Sequence, residues 1–435
     1  MPLRPDFKAR LLRNLEDPVV FLRWLIFAAI IGLVAGIVST AFYYAFHWAA
    51  ITRTAHPWLL WLLPAGGAAI VLLYRVCGME KDGGTNLVLT TVRENTALPL
   101  RTAPLVFLST IITHLVGGSS GREGAILQIG GSISAAIGRL VRLDEKDSRI
   151  ITMCGMSAAF AALFGTPLTA AIFAMEVVSV GVMYYAAIVP CAISSVIGLW
   201  VAQLLGVPGT AFELQGIPDL APLTLTQAVG MGILLALLSI LFCKIMHTAH
   251  HLYHKYLPNY LVRVIVGSVL VIAVTYMIWL WNPGTYDYNG AGEAVIHAAT
   301  EGYARPEAFL LKILLTALTL GAGFKGGEIV PVFFTGATFG CVAAPLIGLH
   351  PSFGAGLGMV GLFCGVTNCP LSSLLLALEL FSGSDGMFSG QSLGLFAVVI
   401  AVSYMLSGYY SLYSEQKILY SKLRPEFINR KAGKK

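Results

Sequence analysis

One acidic side chain stands in a glycine-rich segment of an otherwise apolar sequence. Residues 117–124 read Gly-Gly-Ser-Ser-Gly-Arg-Glu-Gly, and a helical pattern begins directly after them. Glycines let a ligand approach the backbone closely, and the first N–H groups of a helix have no partner inside the helix, so such a helix start can bind an anion. An ionised carboxylate repels an anion at this place, whereas a protonated one tolerates it. The pattern therefore predicts an anion site at which Glu123 couples an anion to a proton.

A structural role for the same carboxylate is the alternative. Acidic residues near helix N-termini interact favourably with the helix dipole, and Glu123 could also pair with Arg122. Ionisable groups within membrane segments are costly, and by default they indicate a functional site. We therefore expect Glu123 to take part in transport.

A second segment of the same form follows later in the chain. It ends in Lys325-Gly326-Gly327, and an apolar run begins at Ile329. Downstream of the two segments, residues 167–176 (PLTAAIFAME) align with residues 370–379 (PLSSLLLALE). Chance similarity between apolar helices is the alternative, but the matched proline and glutamate favour a repeat.

Internal repeats are typical of transporter folds, in which Gly-interrupted segments at corresponding positions lie at the binding site. We predict one membrane domain over residues 1–435, built from a first repeat of about 24–206 and a second of about 222–424. The two glycine-rich helix starts, at Glu123 and Ile329, could converge on one anion.

Composition places these segments in a membrane. Hydrophobic residues make up 57% of the chain and charged residues 11%, against roughly a quarter charged in ordinary soluble domains. Each of the longest charge-free runs meets the requirement of about 20 residues for a spanning helix, and the longest must cross more than once. A soluble protein is excluded, and an all-α polytopic membrane protein is predicted. The runs are residues 24–52, 177–212, 222–243, 264–286, 329–378 and 386–414.

The net charge of +6 is concentrated near the two ends of the chain. Cytoplasmic segments of membrane proteins are enriched in Lys and Arg, so we predict a multi-pass protein of the cell membrane with both termini in the cytoplasm. The first apolar run is too long for a signal-peptide core and is taken as the first membrane helix. A basic tail for nucleic acid or anionic lipid is the alternative; without a basic soluble domain, we expect membrane lipid but no nucleic acid as a partner. The basic residues are Arg4, Lys8, Arg10, Arg13 and Arg23 before the first run, and Lys417, Lys422, Arg424, Arg430, Lys431, Lys434 and Lys435 after the last.

Other polar and sulfur-containing residues do not form a recognisable catalytic or metal motif. The seven cysteines lack CxxC pairs, and the histidines at positions 247, 250, 251 and 254 could share a helix face but have no Asp, Glu or Cys beside them. We interpret these histidines as helix-end residues near the membrane interface, and His114 as a hydrogen-bonded core residue. HExxH and paired-acid motifs are missing. The sequence predicts no enzyme, no metal and no cofactor.

The segment 121–130 (GREGAILQIG), with residues 155–176 after it, resembles the CLC family of anion channels and anion/proton exchangers, over most of the chain. The resemblance implies an inverted-repeat fold whose broken helices meet at a mid-membrane anion site, and a homodimer with one pathway per subunit. It makes Glu123 the external gating glutamate. Anion ligands would be the backbone near Gly121, Arg122, Gly124, Ile329 and Val330, and the hydroxyl of Tyr420, although Tyr420 could instead be an interfacial tyrosine.

Several positions depart from the pattern of most chloride-handling members. The usual Gly-Ser-Gly-Ile-Pro is Gly-Gly-Thr-Asn-Leu at residues 83–87, so Thr85 or Asn86 would replace the anion-ligating serine. The usual Gly-x-Phe-x-Pro is Gly-Glu-Ile-Val-Pro at residues 327–331, which places an acid, Glu328, beside the site. These departures, with Thr-His-Leu-Val-Gly-Gly at 113–118, resemble the fluoride-exporting branch of the family.

The family's internal proton-relay glutamate would fall on Val177, so that route for protons is in question. The neighbouring Glu176 and its repeat counterpart Glu379 are expected to have structural roles at helix ends or in buried hydrogen bonds. The leading hypothesis is exchange of a halide for protons, with fluoride favoured over chloride. A passive, gated chloride channel of the same fold is the alternative.

Overall fold

The computed structural model describes residues 5–80, 82–94, 96–384, 390–424 and 426–433. Of the predicted cytoplasmic basic residues, Arg4, Lys434 and Lys435 lie outside the described residues. Positions 386–389 of the last predicted apolar run also lie outside them. Among the described residues the chain forms sixteen α-helices, three short 3-10 helices and three short strands.

Eight α-helices form the first half of the chain. They are α1 (Pro5–Ala55), α2 (Leu63–Val76), α3 (Thr85–Glu94), α4 (Thr102–Leu115), α5 (Glu123–Leu140), α6 (Glu145–Phe164), α7 (Pro167–Glu176) and α8 (Ile188–Leu204). The 3-10 helices Pro57–Leu62 and Tyr185–Ala187 precede α2 and α8, and strand β1 (Ser179–Val180) follows α7.

The second half contains the other eight. They are α9 (Pro222–Tyr256), α10 (Tyr260–Trp281), α11 (Glu293–Thr300), α12 (Ala308–Ala322), α13 (Ile329–Ala343), α14 (Pro351–Thr367), α15 (Pro370–Leu380) and α16 (Gly390–Leu406). A 3-10 helix, Ala344–Ile347, follows α13, and strands β2 (Lys417–Tyr420) and β3 (Phe427–Lys431) end the chain. Strand β2 pairs with β1 in parallel and with β3 antiparallel, so the end of the chain is tied to the first half.

Within the described residues, six helical segments are long and apolar enough to cross a membrane. The first of them, Pro18–Ala55, is the first membrane helix that the sequence predicts. The longest charge-free run, residues 329–378, is broken into α13, α14 and most of α15, so it does not form one continuous helix. The other segments are Pro57–Val76, Tyr185–Leu204, Pro222–Tyr256, Tyr260–Trp281 and Ile329–Ile347.

The two halves break their helices in the same way. Helix α6 ends at Gly165 with φ at 80°, and Pro167 begins α7. Helix α14 ends at Asn368 with φ at 61°, and Pro370 begins α15. A left-handed residue ends a helix, and proline is favoured in the first turn of the next because its missing N–H is not needed there. The sequence match at residues 167–176 and 370–379 therefore corresponds to a shared backbone break.

Close helix contacts are also repeated. A Cβ on Gly130 of α5 would lie 2.2 Å from the carbonyl oxygen of Gly155 in α6, and a Cβ on Gly336 of α13 would lie 2.3 Å from that of Gly358 in α14. Small residues let membrane helices approach closely, and packing of this kind drives their association where no water is available. Each glycine-rich helix start is thus supported by a tightly packed helix pair.

Each half also caps a helix of the other. The carboxylate of Glu176, at the end of α7, accepts hydrogen bonds from the N–H groups of Leu371 and Ser372 at 3.1 and 2.9 Å. The carboxylate of Glu379, in α15, accepts from the N–H groups of Leu168 and Thr169, both at 2.8 Å. The structural role predicted for both glutamates is confirmed, since they bind the unpaired N–H groups of helices α15 and α7.

Replacing Glu176 by Ala should destabilise the protein without touching the glycine-rich segments. The change leaves two N–H groups at the start of α15 without their acceptor, and the loss of such a cap costs about 1–2 kcal/mol. Thermal unfolding in detergent, followed by tryptophan fluorescence, should show a lower melting temperature. Glu301→Ala, at the exposed end of α11, is the matched control and should melt like the native protein. Equal melting temperatures for all three proteins would contradict the capping role.

Candidate functional site

Two glycine-rich connections meet at the centre of the site. Gly117 follows α4 and Gly323 follows α12, both with positive φ, at 83° and 110°. Four residues beyond each, Gly121 and Gly327 exchange backbone hydrogen bonds, with N···O distances of 2.6 and 2.7 Å. A Cβ on Gly327 would lie 2.6 Å from the backbone nitrogen of Gly124, so only glycine fits there. The structure therefore brings the two predicted helix starts together.

The carboxylate of Glu123, in the first half of the chain, is hydrogen-bonded to a residue of the second half. Its side chain is fully buried, and its Oε2 atom accepts hydrogen bonds from the N–H groups of Arg122 at 3.0 Å and of Val330 at 3.2 Å. Val330 is the second residue of α13, so its N–H group is one of those left unpaired at a helix start. The carboxylate oxygen occupies the place where a bound anion would accept the same hydrogen bond.

The second carboxylate oxygen of Glu123 is less well bound. Oε1 has no hydrogen-bond partner among the described residues, and the Nε atom of Arg122 lies 3.6 Å from it, too far for a hydrogen bond. The guanidinium of Arg122 instead approaches Glu293, with Nη2 3.2 Å from Oε1. It also lies over the rings of Tyr43 and Phe46, 5.5 and 5.2 Å from their centroids. The expected Arg122–Glu123 pair is present but loose.

Two cavities approach Glu123. The first, which we call the Arg122 cavity, has a volume of about 200 Å³ and is lined by Arg122, Glu293 and Val330, among others. The second, the Tyr413 cavity, has a volume of about 600 Å³ and is lined by residues that include Thr85 and Tyr413. Neighbours of Glu123 border both cavities: Arg122 and Val330 border the first, and Thr85 and Gln128, which contact the carbonyl of Gly124, border the second.

Thr85 and Asn86, the two candidates to replace the missing serine, differ in their hydrogen bonds. The amide of Gln128 donates to the carbonyl of Gly124 at 3.0 Å and to the hydroxyl of Thr85 at 3.3 Å. Thr85 Oγ1 lies 3.4 Å from the same carbonyl, next to the first turn of α5. The Oδ1 atom of Asn86 accepts from the backbone N–H of Glu415 at 3.1 Å, so that oxygen is already engaged. Both residues line the Tyr413 cavity, and Gln128 joins them there as a residue that the sequence did not single out.

Tyr420 is not brought to this site. It lies in β2 with 45% of its surface exposed and its ring against Phe427, and it does not border the Tyr413 cavity. Tyr413 is 2% exposed and does border that cavity. Both tyrosines occur in the tripeptide Leu-Tyr-Ser, so the sequence motif fits both positions. Burial distinguishes them, and of the two tyrosines Tyr413 is the one that borders the cavity.

A buried ion pair holds the loops around the Tyr413 cavity. Lys325 Nζ lies 3.1 Å from the carboxylate of Asp82, whose side chain is fully buried, and 4.5 Å from the ring centroid of Tyr74. Asp82 precedes Thr85, and Lys325 precedes the glycines that start α13. The ion pair therefore links the loop before α3, in the first half of the chain, to the loop before α13, in the second half.

Two of the four histidines of α9, His250 and His254, border the same cavity. His250 and His254 stack with ring centroids 4.2 Å apart, and both ring nitrogens of His254 lie 3.0–3.1 Å from a guanidinium nitrogen of Arg263. His114 is buried, with its ring nitrogens 2.9 and 2.8 Å from the carbonyls of Thr110 and Ser120. The core role predicted for His114 is confirmed.

The site and the broken-helix fold define an anion-transport protein, and comparison with known proteins agrees. The family model described as "voltage gated chloride channel" matches residues 65–408, which is more than half of the chain. The chain belongs to this family, the CLC proteins, and is a CLC-type membrane transporter. The predicted fold class is confirmed.

Two individual relatives are similar to this chain over most of its length. A chloride/fluoride channel protein of Pseudomonas syringae pv. tomato is 34% identical over 407 residues, which cover 92% of this chain and 87% of the relative. An H(+)/Cl(-) exchange transporter of Vibrio parahaemolyticus is 25% identical over 387 residues, which cover 82% of this chain and 81% of that protein.

Solved structures give the same result for the fold. The crystal structure of a CLC-type fluoride/proton antiporter matches with a TM-score of 0.85 and 30% identity, over 91% of this chain and 98% of the other. A slow cyanobacterial Cl⁻/H⁺ antiporter matches with a TM-score of 0.72 at 18% identity, over 88% of this chain and 94% of the other. The second match supports the fold alone.

Asp82→Asn should lower the stability of the protein. The change removes the counter-charge of Lys325 while keeping the side chain's shape. An unpaired charge in a fully buried pair costs about 3–5 kcal/mol, and the loss here should be smaller because the Lys325 side chain is 19% exposed. Thermal unfolding in detergent should therefore show a clear loss of stability. The control is Glu80→Gln, which breaks the exposed Arg75–Glu80 pair two residues away and should have little effect. The framework role would be contradicted if Asp82→Asn were as stable as Glu80→Gln.

Proposed function

We propose that this protein exchanges a halide for protons across the cell membrane, with fluoride favoured over chloride. In this scheme Glu123 alternates between two states. When ionised it occupies the anion site at the start of α13, and when protonated it leaves the site to the halide. Each exchange of occupant then moves a proton and an anion in opposite directions.

The observation that carries the proposal is the hydrogen bond from the Val330 N–H to the carboxylate of Glu123. A carboxylate oxygen and a halide compete for this N–H, because both are anions drawn to the same helix N-terminus. Protonation removes the charge that holds the side chain there. The buried carboxylate of Glu123 can therefore link the binding of an anion to its own protonation. Its second oxygen, Oε1, has no hydrogen-bond partner among the described residues and is available to take the proton.

Fluoride is favoured by the residues around the site and by similarity. Thr85 and Asn86 stand at the place where most chloride-handling members have a serine, and Glu328 adds an acid beside the second helix start. The 34% identical relative is named for chloride and fluoride, and the 30% identical structure is that of a fluoride/proton antiporter. A small, strongly hydrated anion requires several strong donors in place of its water.

The proposed anion ligands are backbone groups together with hydroxyl groups. The N–H groups of the segments at Arg122, Gly124, Ile329 and Val330 lie around the junction of the two helix starts, whereas the N–H of Gly121 is already bound to the carbonyl of Gly327. A hydroxyl from Thr85, or the amide of Asn86, would complete the site from the Tyr413 cavity. Tyr413 takes the part that the sequence motif gave to Tyr420.

A passive, gated chloride channel is the second candidate. It is favoured by Val177, a fully buried apolar residue at the place of the usual internal glutamate. Against it stands Glu328, which borders the Tyr413 cavity and whose carboxylate makes no hydrogen bond or ion pair with other described residues. This acid could exchange protons between that cavity and the site, so the structure favours the exchanger.

The assembly and orientation are part of the proposal. Leu168 of α7 and Leu371 of α15 are at equivalent positions of the two repeats, and they are 54% and 52% exposed. Helices α7 and α15 pack together, and each leucine is the second residue of its helix. We propose that a second copy of the chain covers the exposed surface of these two helices, that lipid covers the remaining apolar surface, and that both termini are cytoplasmic.

Glu123→Gln tests the central assignment. Glutamine has the shape of the protonated carboxyl group but cannot release a proton, so coupled proton movement should fall to the background of protein-free liposomes. Anion flux should lose its dependence on pH. The measurement is flux from liposomes loaded with fluoride or with chloride, with an anion electrode and a pH probe recorded together. Native protein that moves anions without protons would instead support the channel. Equal rates for both halides would remove the preference for fluoride.

Tyr413→Phe tests the assignment of the tyrosine. Removing the hydroxyl takes away one hydrogen bond to a charged ligand, so the apparent anion affinity should fall by about tenfold. Tyr420→Phe is the matched control, with the same chemical change in the same tripeptide, and its affinity should equal that of the native protein. If Tyr420→Phe lowered the anion affinity and Tyr413→Phe did not, Tyr420 would be the anion ligand. The measurement is the concentration dependence of liposome flux.

A further inference from the structure

Arg122 stands between two carboxylates of very different exposure. The side chain of Glu293 is 50% exposed, that of Arg122 is 9% exposed, and that of Glu123 is fully buried. The guanidinium lies 3.2 Å from Glu293 and 3.6 Å from Glu123. One cation is therefore shared by two acids, and the outer acid has the shorter contact. Arg122 Nε and Glu123 Oε1 have no hydrogen-bond partner among the described residues, so the inner half of this arrangement is incomplete.

The packing of α11 fixes the position of Glu293. Helix α11 begins at Glu293, after Gly292, whose φ is 79°. A Cβ on Gly292 would lie 2.6 Å from the ring of Phe334 in α13, so this turn fits closely against the helix that binds Glu123. A negative charge is also favourable in the first turn of α11. The carboxylate of Glu293 is thus held in place relative to both Arg122 and the start of α13.

The guanidinium of Arg122 is held from its other faces as well. It lies over the rings of Tyr43 and Phe46 of α1, which restrict its movement without neutralising its charge. Glu293 borders both the Arg122 cavity and a larger neighbouring cavity of about 550 Å³, and solvent can reach it through them. The other titratable and charged side chains that line these cavities are His47 and Arg53 of α1, His114 of α4, Tyr286 and Asp287 before α11, and His297 of α11. Lys312 of α12 donates to the carbonyl of Gly290, which lines the larger cavity.

We infer that Glu293 is a positioning residue that draws Arg122 away from Glu123 and so sets the pH at which Glu123 takes up its proton. The inference rests on the proposed function. With Glu293 ionised, the charge of Arg122 is largely balanced from outside, and the ionised form of Glu123 gains little from it. Without that balance, the full charge of Arg122 acts on Glu123 and stabilises its ionised form. Protonation, and with it release of the anion site, then requires a lower pH.

The test is the pH profile of fluoride flux in liposomes of the native protein, Glu293→Gln and Glu293→Asp. Glu293→Gln should shift the midpoint of the profile to lower pH by about one unit, the usual scale for an added charge within a few ångströms. Glu293→Asp keeps the charge at the start of α11 but shortens its reach to Arg122, so its midpoint should lie between those of the other two. The control is Glu301→Gln, at the other end of the same helix, which should keep the native midpoint.

A double variant distinguishes a positioning role of Glu293 from a purely structural one. In the Glu123→Gln background, adding Glu293→Gln should leave the flux–pH profile unchanged, since the group that it acts on is gone. If Glu123→Gln itself leaves proton coupling intact, the proposed function fails, whatever Glu293 does. If coupling depends on Glu123 but Glu293→Gln keeps the native midpoint, or lowers the flux equally at every pH, the role of Glu293 is overturned. Glu293→Asp decides the question if the glutamine variant does not fold.

Discussion

The hydrogen bond between the carboxylate of Glu123 and the N–H of Val330 depends on almost every other feature of the structure. It requires a helix start from each half of the chain at the same point, and it requires both to be free of side-chain bulk. The mutual backbone hydrogen bonds of Gly121 and Gly327 provide this crossing. Because the N–H groups of a helix start have no internal partners, the crossing supplies the donors that the proposed anion site requires, without a dedicated cationic side chain.

The repeat explains how such a site is stable at membrane depth. Unpaired backbone groups are costly away from water, so each broken helix needs an acceptor for its first N–H groups. Glu176 and Glu379 supply acceptors to helices α15 and α7 from the opposite half, and their two hydrogen-bonding patterns are nearly the same. At the anion site the pattern differs, since the position equivalent to Glu123 is Ile329. At this position only the first helix start carries a carboxylate, so the proposed coupling to protons is asymmetric.

Charge around the site is arranged in two kinds of ion pair. Arg122 is shared between the exposed Glu293 and the buried Glu123, and Lys325 is balanced by the buried Asp82. A pair that includes a solvent-accessible carboxylate can respond to the solution, whereas a buried pair serves to hold loops in place. We therefore distinguish Glu293 and Arg122, which are proposed to regulate the site, from Asp82 and Lys325, which hold the loops around it.

The sequence by itself determined the membrane class and the family, and it predicted the repeat and the role proposed for Glu123, because composition and glycine spacing are local properties. It could not choose between Tyr413 and Tyr420, since both stand in Leu-Tyr-Ser and differ only in burial. It also did not find Glu293 or Gln128, whose roles follow from helices packed together across long sequence separations. Which side chains surround a site is decided by tertiary packing, and a local motif carries no information about that packing.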